Sequence, residues 1–263
     1  MSETVTAQTA TSKDGTTIAY ETIGSGPAVV LVDGAMCYRE FGPSRDVARA
    51  LADEYTVYIY DRRGRGESGN TEPYEVQREV EDLAAVIEAT GQHPFVMGQS
   101  SGAGLALEAA IAGVSMKKLA VYEPPYIGVN KDRDYLGDLR TLLAGGRNGA
   151  MVDYFMVTMV GGPVFLPIMM RLMPKVFAPL KAVAPTLLND TQVMRGFEID
   201  AEHLAGVTVP TLVMGGSKAK PNMLAAVNGV AQAVTGKPPV ILEGQTHQVS
   251  PAALAPELKG FFR

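Results

Sequence analysis

The chain has 263 residues, of which 46% are hydrophobic and 19% charged, and it carries a formal net charge of −5 at pH 7. That balance permits a large buried core and excludes wholesale disorder. The acidic excess also excludes the clustered basic surface that nucleic acid requires, since the run Arg62, Arg63 and Arg65 is too short to supply one.

A single cysteine, Cys37, rules out an internal disulfide and fits a reducing compartment. The opening MSETVTAQTATSKDG is polar and lacks the basic-then-apolar order of a secretory signal, so a cytoplasmic location is expected. Thr16 to Ile23 alternates like a strand, and Gly24-Ser25-Gly26-Pro27 breaks it. Ala28 to Val32 is an unbroken apolar run, as are Thr56 to Tyr60, Pro94 to Met97 and Lys118 to Tyr122. Unbroken runs mark strands covered on both faces. Helical patterns lie between them at about Ser44 to Asp53, Tyr74 to Thr90 and Ser101 to Ala112. Strands alternating with helices predict an α/β fold with a mostly parallel sheet flanked by helices.

After Pro124-Pro125 the rhythm changes. Residues 126–206 carry helical stretches and no strand pattern, with six of the thirteen methionines between Met151 and Met173. The uncharged run from Tyr154 to Met170 has 17 residues, interrupted by Gly161-Gly162-Pro163 and Pro167. It falls short of the ~20 residues that span a bilayer. Strand patterns resume at Val209 to Met214 and Pro239 to Leu242, with helices at Asn222 to Val234 and Leu254 to Phe262. The expected division is therefore a core of 1–125 and 207–263, interrupted by a helical cap at 126–206.

Gly98-Gln99-Ser100-Ser101-Gly102 matches G-x-S-x-G between a strand and a helix. The tight turn needs small neighbours, which Gly98, Gly102 and Gly104 provide, and it sets Ser100 at a helix N-terminus that favours developing negative charge. An ordinary turn with a helix-capping serine would read similarly. A serine hydroxyl needs a base, and the chain has three histidines. His247, in Gly244-Gln245-Thr246-His247, follows the last strand and so stands at the carboxyl edge of the sheet with Ser100. His93 precedes its strand and belongs to the opposite edge, and His203 falls in a charged stretch that reads as solvated surface. Backbone N–H groups of Ala35 and Ser101 are the candidate oxyanion hole, from chain order and spacing.

Together, VVLVDGA, YDRRGRGES, MGQSSG, LAVYEPP and EGQTH occur in an order that resembles the α/β-hydrolase superfamily across essentially the whole chain. The resemblance implies an eight-stranded sheet, a structural D-x-R-G-x-G-x-S turn at Asp61 to Ser68, and a Ser-His-acid triad. The string Gly64-x-Gly66-x-x-Gly69 inside that turn also spells a dinucleotide fingerprint. No helix opens there, so a nucleotide site is not expected.

Two features depart from the superfamily pattern. Its oxyanion loop commonly starts His-Gly, whereas this chain has Asp33-Gly34, and Asp33 is expected to bond the amides of its own loop. Its triad acid commonly follows the strand at Thr211 to Met214, where this chain has Gly215-Gly216-Ser217-Lys218 and no carboxylate. Haloalkane dehalogenases and zearalenone-type lactonases take the acid from the preceding strand, which here points to Glu123, with Asp200 and Glu198 as alternatives.

The expected function is hydrolysis of a carboxylic ester or lactone, apolar or aromatic, through an acyl-enzyme on Ser100. The alternatives are cofactor-free carbon–carbon hydrolysis, lyase or perhydrolase chemistry on the same triad, or ligand binding with little turnover. Met36, Tyr126, Met151, Phe155, Met159 and Met170 are candidate pocket residues. Cys37 lacks a base beside it and reads as a small buried residue. No cofactor or metal is implied. The expected partners are a small-molecule substrate and at most a second copy of the chain, with neither nucleic acid nor membrane.

Overall fold

A computed structural model describes residues 8–128 and 133–263. The first seven residues of the polar opening segment, and residues 129–132 of the expected insertion, lie outside that range. The unbroken apolar runs become β3 (Ala28–Val32), β4 (Thr56–Tyr60), β5 (Phe95–Gln99) and β6 (Lys118–Tyr122). Every residue of β3 and β5 is buried, as expected of central parallel strands sandwiched between helices.

Side chains alternate between the two faces of the sheet. Val30, Val32, Val96 and Val121 enter a core shared with α2 (Val76–Ala89), α3 (Ser101–Ile111) and α10 (Pro221–Thr235). Val29, Leu31, Met97 and Ala120 enter a second core, closed by α1 (Ser44–Leu51) and α11 (Pro251–Phe262).

The sheet has eight strands in the order β1-β2-β4-β3-β5-β6-β7-β8. The β1 (Gln8–Thr11) and β2 (Thr17–Gly24) strands pair antiparallel at one edge, and β3 through β8 run parallel, with β7 at Thr211–Gly216 and β8 at Val240–Leu242. The β1 strand carries no apolar signal, because QTAT buries only Ala10 at a sheet edge.

Register brings the functional loops together. Gln99 pairs with Tyr122, and Tyr122 with Met214, so the residues that follow β5, β6 and β7 emerge side by side at the carboxyl edge.

Between β6 and β7 the described residues form helices α4 to α9: Tyr135–Ala144, Asn148–Asp153, Leu166–Arg171, Pro174–Val183, Leu187–Val193 and Ala201–Leu204. A π-helical stretch, Tyr154–Met159, extends α5.

The basic triplet is not a surface feature. Arg62, Arg63 and Arg65 are each at most 1% exposed. Arg62 pairs with Glu79 and Asp190, Arg63 with Asp82 and Asp14, and Arg65 with Asp190. Gly66 belongs to the same turn, and a Cβ there would lie 2.2 Å from an Asp61 carboxylate oxygen.

Candidate active site

Ser100 joins β5 to α3 with φ 55° and ψ −129°, backbone angles that cost a non-glycine residue about 1–3 kcal/mol. Glycine neighbours make so tight a turn feasible. A Cβ on Gly98 would lie 2.5 Å from the Gly102 carbonyl oxygen, and one on Gly102 would lie 2.2 Å from that of Val32.

The His247 ring bridges Ser100 and Glu123. Its Nε2 is 3.1 Å from Ser100 Oγ and its Nδ1 is 2.7 Å from Glu123 Oε2. A carboxylate only accepts, so the proton belongs on Nδ1 and Nε2 is left to accept from the serine hydroxyl.

Glu123 follows β6 with φ 45° and is fully buried, and its Oε1 accepts the Gly216 N–H at 2.9 Å. The last residue of β7 therefore supplies a hydrogen-bond donor to the carboxylate, and no carboxylate follows the strand. Position 216 must also be glycine, because a Cβ there would lie 2.3 Å from the Gln245 carbonyl oxygen. The loop bearing His247 is fastened by Tyr122 Oη, which donates to the Thr246 carbonyl at 2.6 Å, and by Gln99 Nε2, which donates to that of His247 at 3.0 Å.

The other candidates lie elsewhere. Asp200 caps α9 by accepting the His203 N–H, and Glu198 lines a separate cavity with Arg133 and Arg195. His203 stands against Glu108, and His93 contacts Ser115 Oγ.

Ala35 and Ser101 both line the cavity that contains Ser100. The loop before Ala35 packs tightly on Ser100, since a Cβ on Gly34 would lie 2.9 Å from Ser100 Cβ. Asp33 corrects one expectation: among the described residues no amide of its own loop bonds its carboxyl, whose favourable neighbours are the Ser44 side chain at the start of α1 and the Arg65 and Arg62 guanidinium groups. Burial pushes this carboxyl up to about 6, against the opposing pull of Ser44, Arg65 and Arg62. Burial, reinforced by the Asp33 charge, pushes the Cys37 thiol up to about 12, which leaves it an inert neighbour of the site.

The cavity measures about 380 Å³, within the usual range for small-molecule sites. Phe155 and Met159 line it. Met36, Tyr126, Met151 and Met170 do not; they are buried in the hydrophobic core, where flexible and aromatic side chains fill space between helices. The sequence reading missed Ile127, Met194, Phe197 and Met223 as lining residues. One signal was available: Asp190 and Met194 stand four apart on successive helical turns, hence on one face, and both reach the cavity. Among the described residues, no group of three or more His, Cys, Asp or Glu side chains is placed to hold a metal ion. Nor is any of their helices long and apolar enough to cross a membrane.

Comparison with known proteins agrees with this architecture. Residues 28–257 match the model of the alpha/beta hydrolase family. The solved structure of an alpha/beta hydrolase from Sphaerobacter thermophilus is 46% identical, covers 97% of this chain and 100% of its own, and superposes with a TM-score of 0.89. A thermophilic esterase from Thermogutta terrifontis shares the fold at 19% identity and a TM-score of 0.71, over 99% of this chain and 98% of its own. An uncharacterized hydrolase of Bacillus subtilis, YraK, is 36% identical over 105 residues, which are 37% of this chain and 36% of that protein. The chain thus spans only about a third of the length of that curated relative. With the family model covering most of its length, the strand order, the elbow at Ser100 and the near-full-length likeness to a solved member, the chain belongs to the alpha/beta hydrolase family.

Proposed function

We propose that the protein is a serine hydrolase that cleaves a carboxylic ester or lactone with an apolar or aromatic body. The observation that carries this reading is the continuous hydrogen-bonded path from buried Glu123 through His247 to Ser100, opening into a cavity lined by Phe155, Met156, Met159 and Leu166. His247 Nε2 removes the Ser100 proton as Oγ attacks the substrate carbonyl. The resulting oxyanion lies between the N–H groups of Ala35 and Ser101, at the N-terminus of α3, whose dipole adds to their stabilisation. His247 then passes the proton to the departing alkoxide, leaving an acyl group on Ser100. A water molecule, deprotonated by the same nitrogen, attacks the acyl carbonyl; the bond to Oγ then breaks as His247 returns the proton to Ser100, and the acid leaves.

Asp33 does not line the cavity, and the Arg65 and Arg62 guanidinium groups beside its carboxyl offset its charge. The helices between β6 and β7 act as the cap, and their apolar side chains keep water away from the carbonyl except where the ester enters.

A panel of 4-nitrophenyl esters from acetate to decanoate, with aryl esters and aryl-fused lactones, tests the reading. Turnover that rises with apolar bulk and disappears in Ser100→Ala is expected. Equal activity in Ser100→Ala, or a preference for short charged esters, would contradict it.

A further inference from the structure

We infer that Asp190, a cap residue on α8, is a positioning residue for the oxyanion hole, so that the hole is complete only when the cap is seated; this rests on the hydrolase reading above. Asp190 is 2% exposed, and both its carboxylate oxygens are engaged. Oδ1 accepts from Ser101 Oγ at 2.7 Å and from Arg62 Nη1 at 2.8 Å, and Oδ2 accepts from Arg65 Nη2 at 2.8 Å.

Each of these three partners leads to the oxyanion site. Arg65 Nη1 donates to the Gly34 carbonyl at 2.7 Å. That carbonyl belongs to the same planar peptide as the Ala35 N–H. A peptide unit turns as one body, so holding its oxygen aims its N–H, and hydrogen bonding at the oxygen also polarises the N–H. Arg62 Nη1 donates to the Asp33 carbonyl at 3.3 Å, which fixes the preceding peptide. The Ser101 hydroxyl, held by Asp190, belongs to the residue that supplies the other oxyanion N–H. One carboxylate therefore braces both donors, and it comes from an element separated from them in sequence by the whole first half of the insertion.

Charge favours the same arrangement. Burial alone would raise the Asp190 carboxyl, yet the Arg65 and Arg62 guanidinium groups and the Ser101 hydroxyl hold it below the ordinary carboxylate range. Arg62 has a second carboxylate in Glu79, bound through Nε and Nη2, whereas the ion pair of Arg65 is with Asp190. Removing the Asp190 charge thus falls most heavily on the guanidinium that holds the Gly34–Ala35 peptide.

A role confined to seating the cap would lower stability and weaken substrate binding, whereas a positioning role lowers transition-state stabilisation. The test uses the full chain as wild type, Asp190→Asn and Ser101→Ala. Steady-state ester kinetics and thermal melting are measured, with affinity for an apolar trifluoromethyl ketone whose hemiketal with Ser100 places its oxyanion in the hole. Asp190→Asn is expected to lower kcat about 30- to 100-fold with KM within about threefold, and to weaken ketone affinity in parallel. If Asp190→Asn folds, it decides the matter. Should the two arginines left without it prevent folding, Ser101→Ala decides, because that substitution deletes one hydroxyl and keeps every ion pair; kcat and ketone affinity falling together by about three- to tenfold are expected there. In the deciding variant, kcat and ketone affinity within twofold of wild type, or a raised KM with kcat unchanged, overturns the inference while leaving the hydrolase reading intact. A folded wild type with neither turnover nor a ketone adduct overturns both.

Discussion

Glu123→Gln preserves side-chain volume but removes a charge and turns one acceptor oxygen into a donor. Both oxygens of Glu123 are in use, one on His247 Nδ1 at 2.7 Å and the other on the Gly216 N–H at 2.9 Å. The amide nitrogen must therefore face one of those donors. Facing Gly216, it leaves opposed buried N–H groups, at about 1–3 kcal/mol of stability. Facing His247, it forces the ring proton onto Nε2, and the ring can no longer accept from Ser100. In either orientation the imidazolium formed during attack loses its bond to a fully buried carboxylate. That loss amounts to about 2–4 kcal/mol of transition-state stabilisation, or roughly 30- to 1000-fold in kcat. Steady-state kinetics on a 4-nitrophenyl ester, with a thermal melt of the same sample, measure it. A folded Glu123→Gln with kcat within threefold of wild type would show that Glu123 is not the triad acid.

Three further predictions follow from individual contacts. Tyr122→Phe removes the 2.6 Å bond to the Thr246 carbonyl and loosens the His247 loop, so kcat should fall about three- to tenfold with KM little changed, read in the same ester assay. Burial of Asp33 raises its carboxyl to about 6. The folded state therefore keeps the proton to higher pH than the unfolded chain. The resulting penalty is absent below the unfolded value, grows through the interval, and is fully present above it at about 3 kcal/mol. Asp33→Asn removes the penalty, so its stability gain over wild type should grow by about 1–1.5 kcal/mol between pH 5 and pH 8 in denaturant titrations. Gly102→Ala would press a Cβ to 2.2 Å from the Val32 carbonyl oxygen, and should lower Tm by ~10 °C or abolish soluble expression.

The sheet was legible because its parallel strands are buried on both faces and so appear as unbroken apolar runs, as Ala28–Val32 and Phe95–Gln99 do. Ser100 and His247 were legible because chain order assigns each to the same sheet edge. Glu123 was reachable by the absence of a carboxylate after β7, whose last residue, Gly216, supplies a backbone donor to Glu123. The cavity was harder to read. Methionines line helices and fill cores alike, so spacing could not separate Met159, at the cavity, from Met151, in the core. The arginine triplet was opaque for another reason. Burial of Arg62 and Arg65 depends on Asp190, more than a hundred residues later in the chain, and no local pattern reveals such a partner. The same distance hid the link from α8 to the Gly34–Ala35 peptide.

The most direct test of the triad is intact-mass labelling with a fluorophosphonate, using wild type, Ser100→Ala and Glu123→Gln. One adduct on wild type, mapped to Ser100, absent in Ser100→Ala and formed more slowly in Glu123→Gln, is the predicted result. A well-folded wild type that takes no adduct, or one that maps to another residue, would contradict the account.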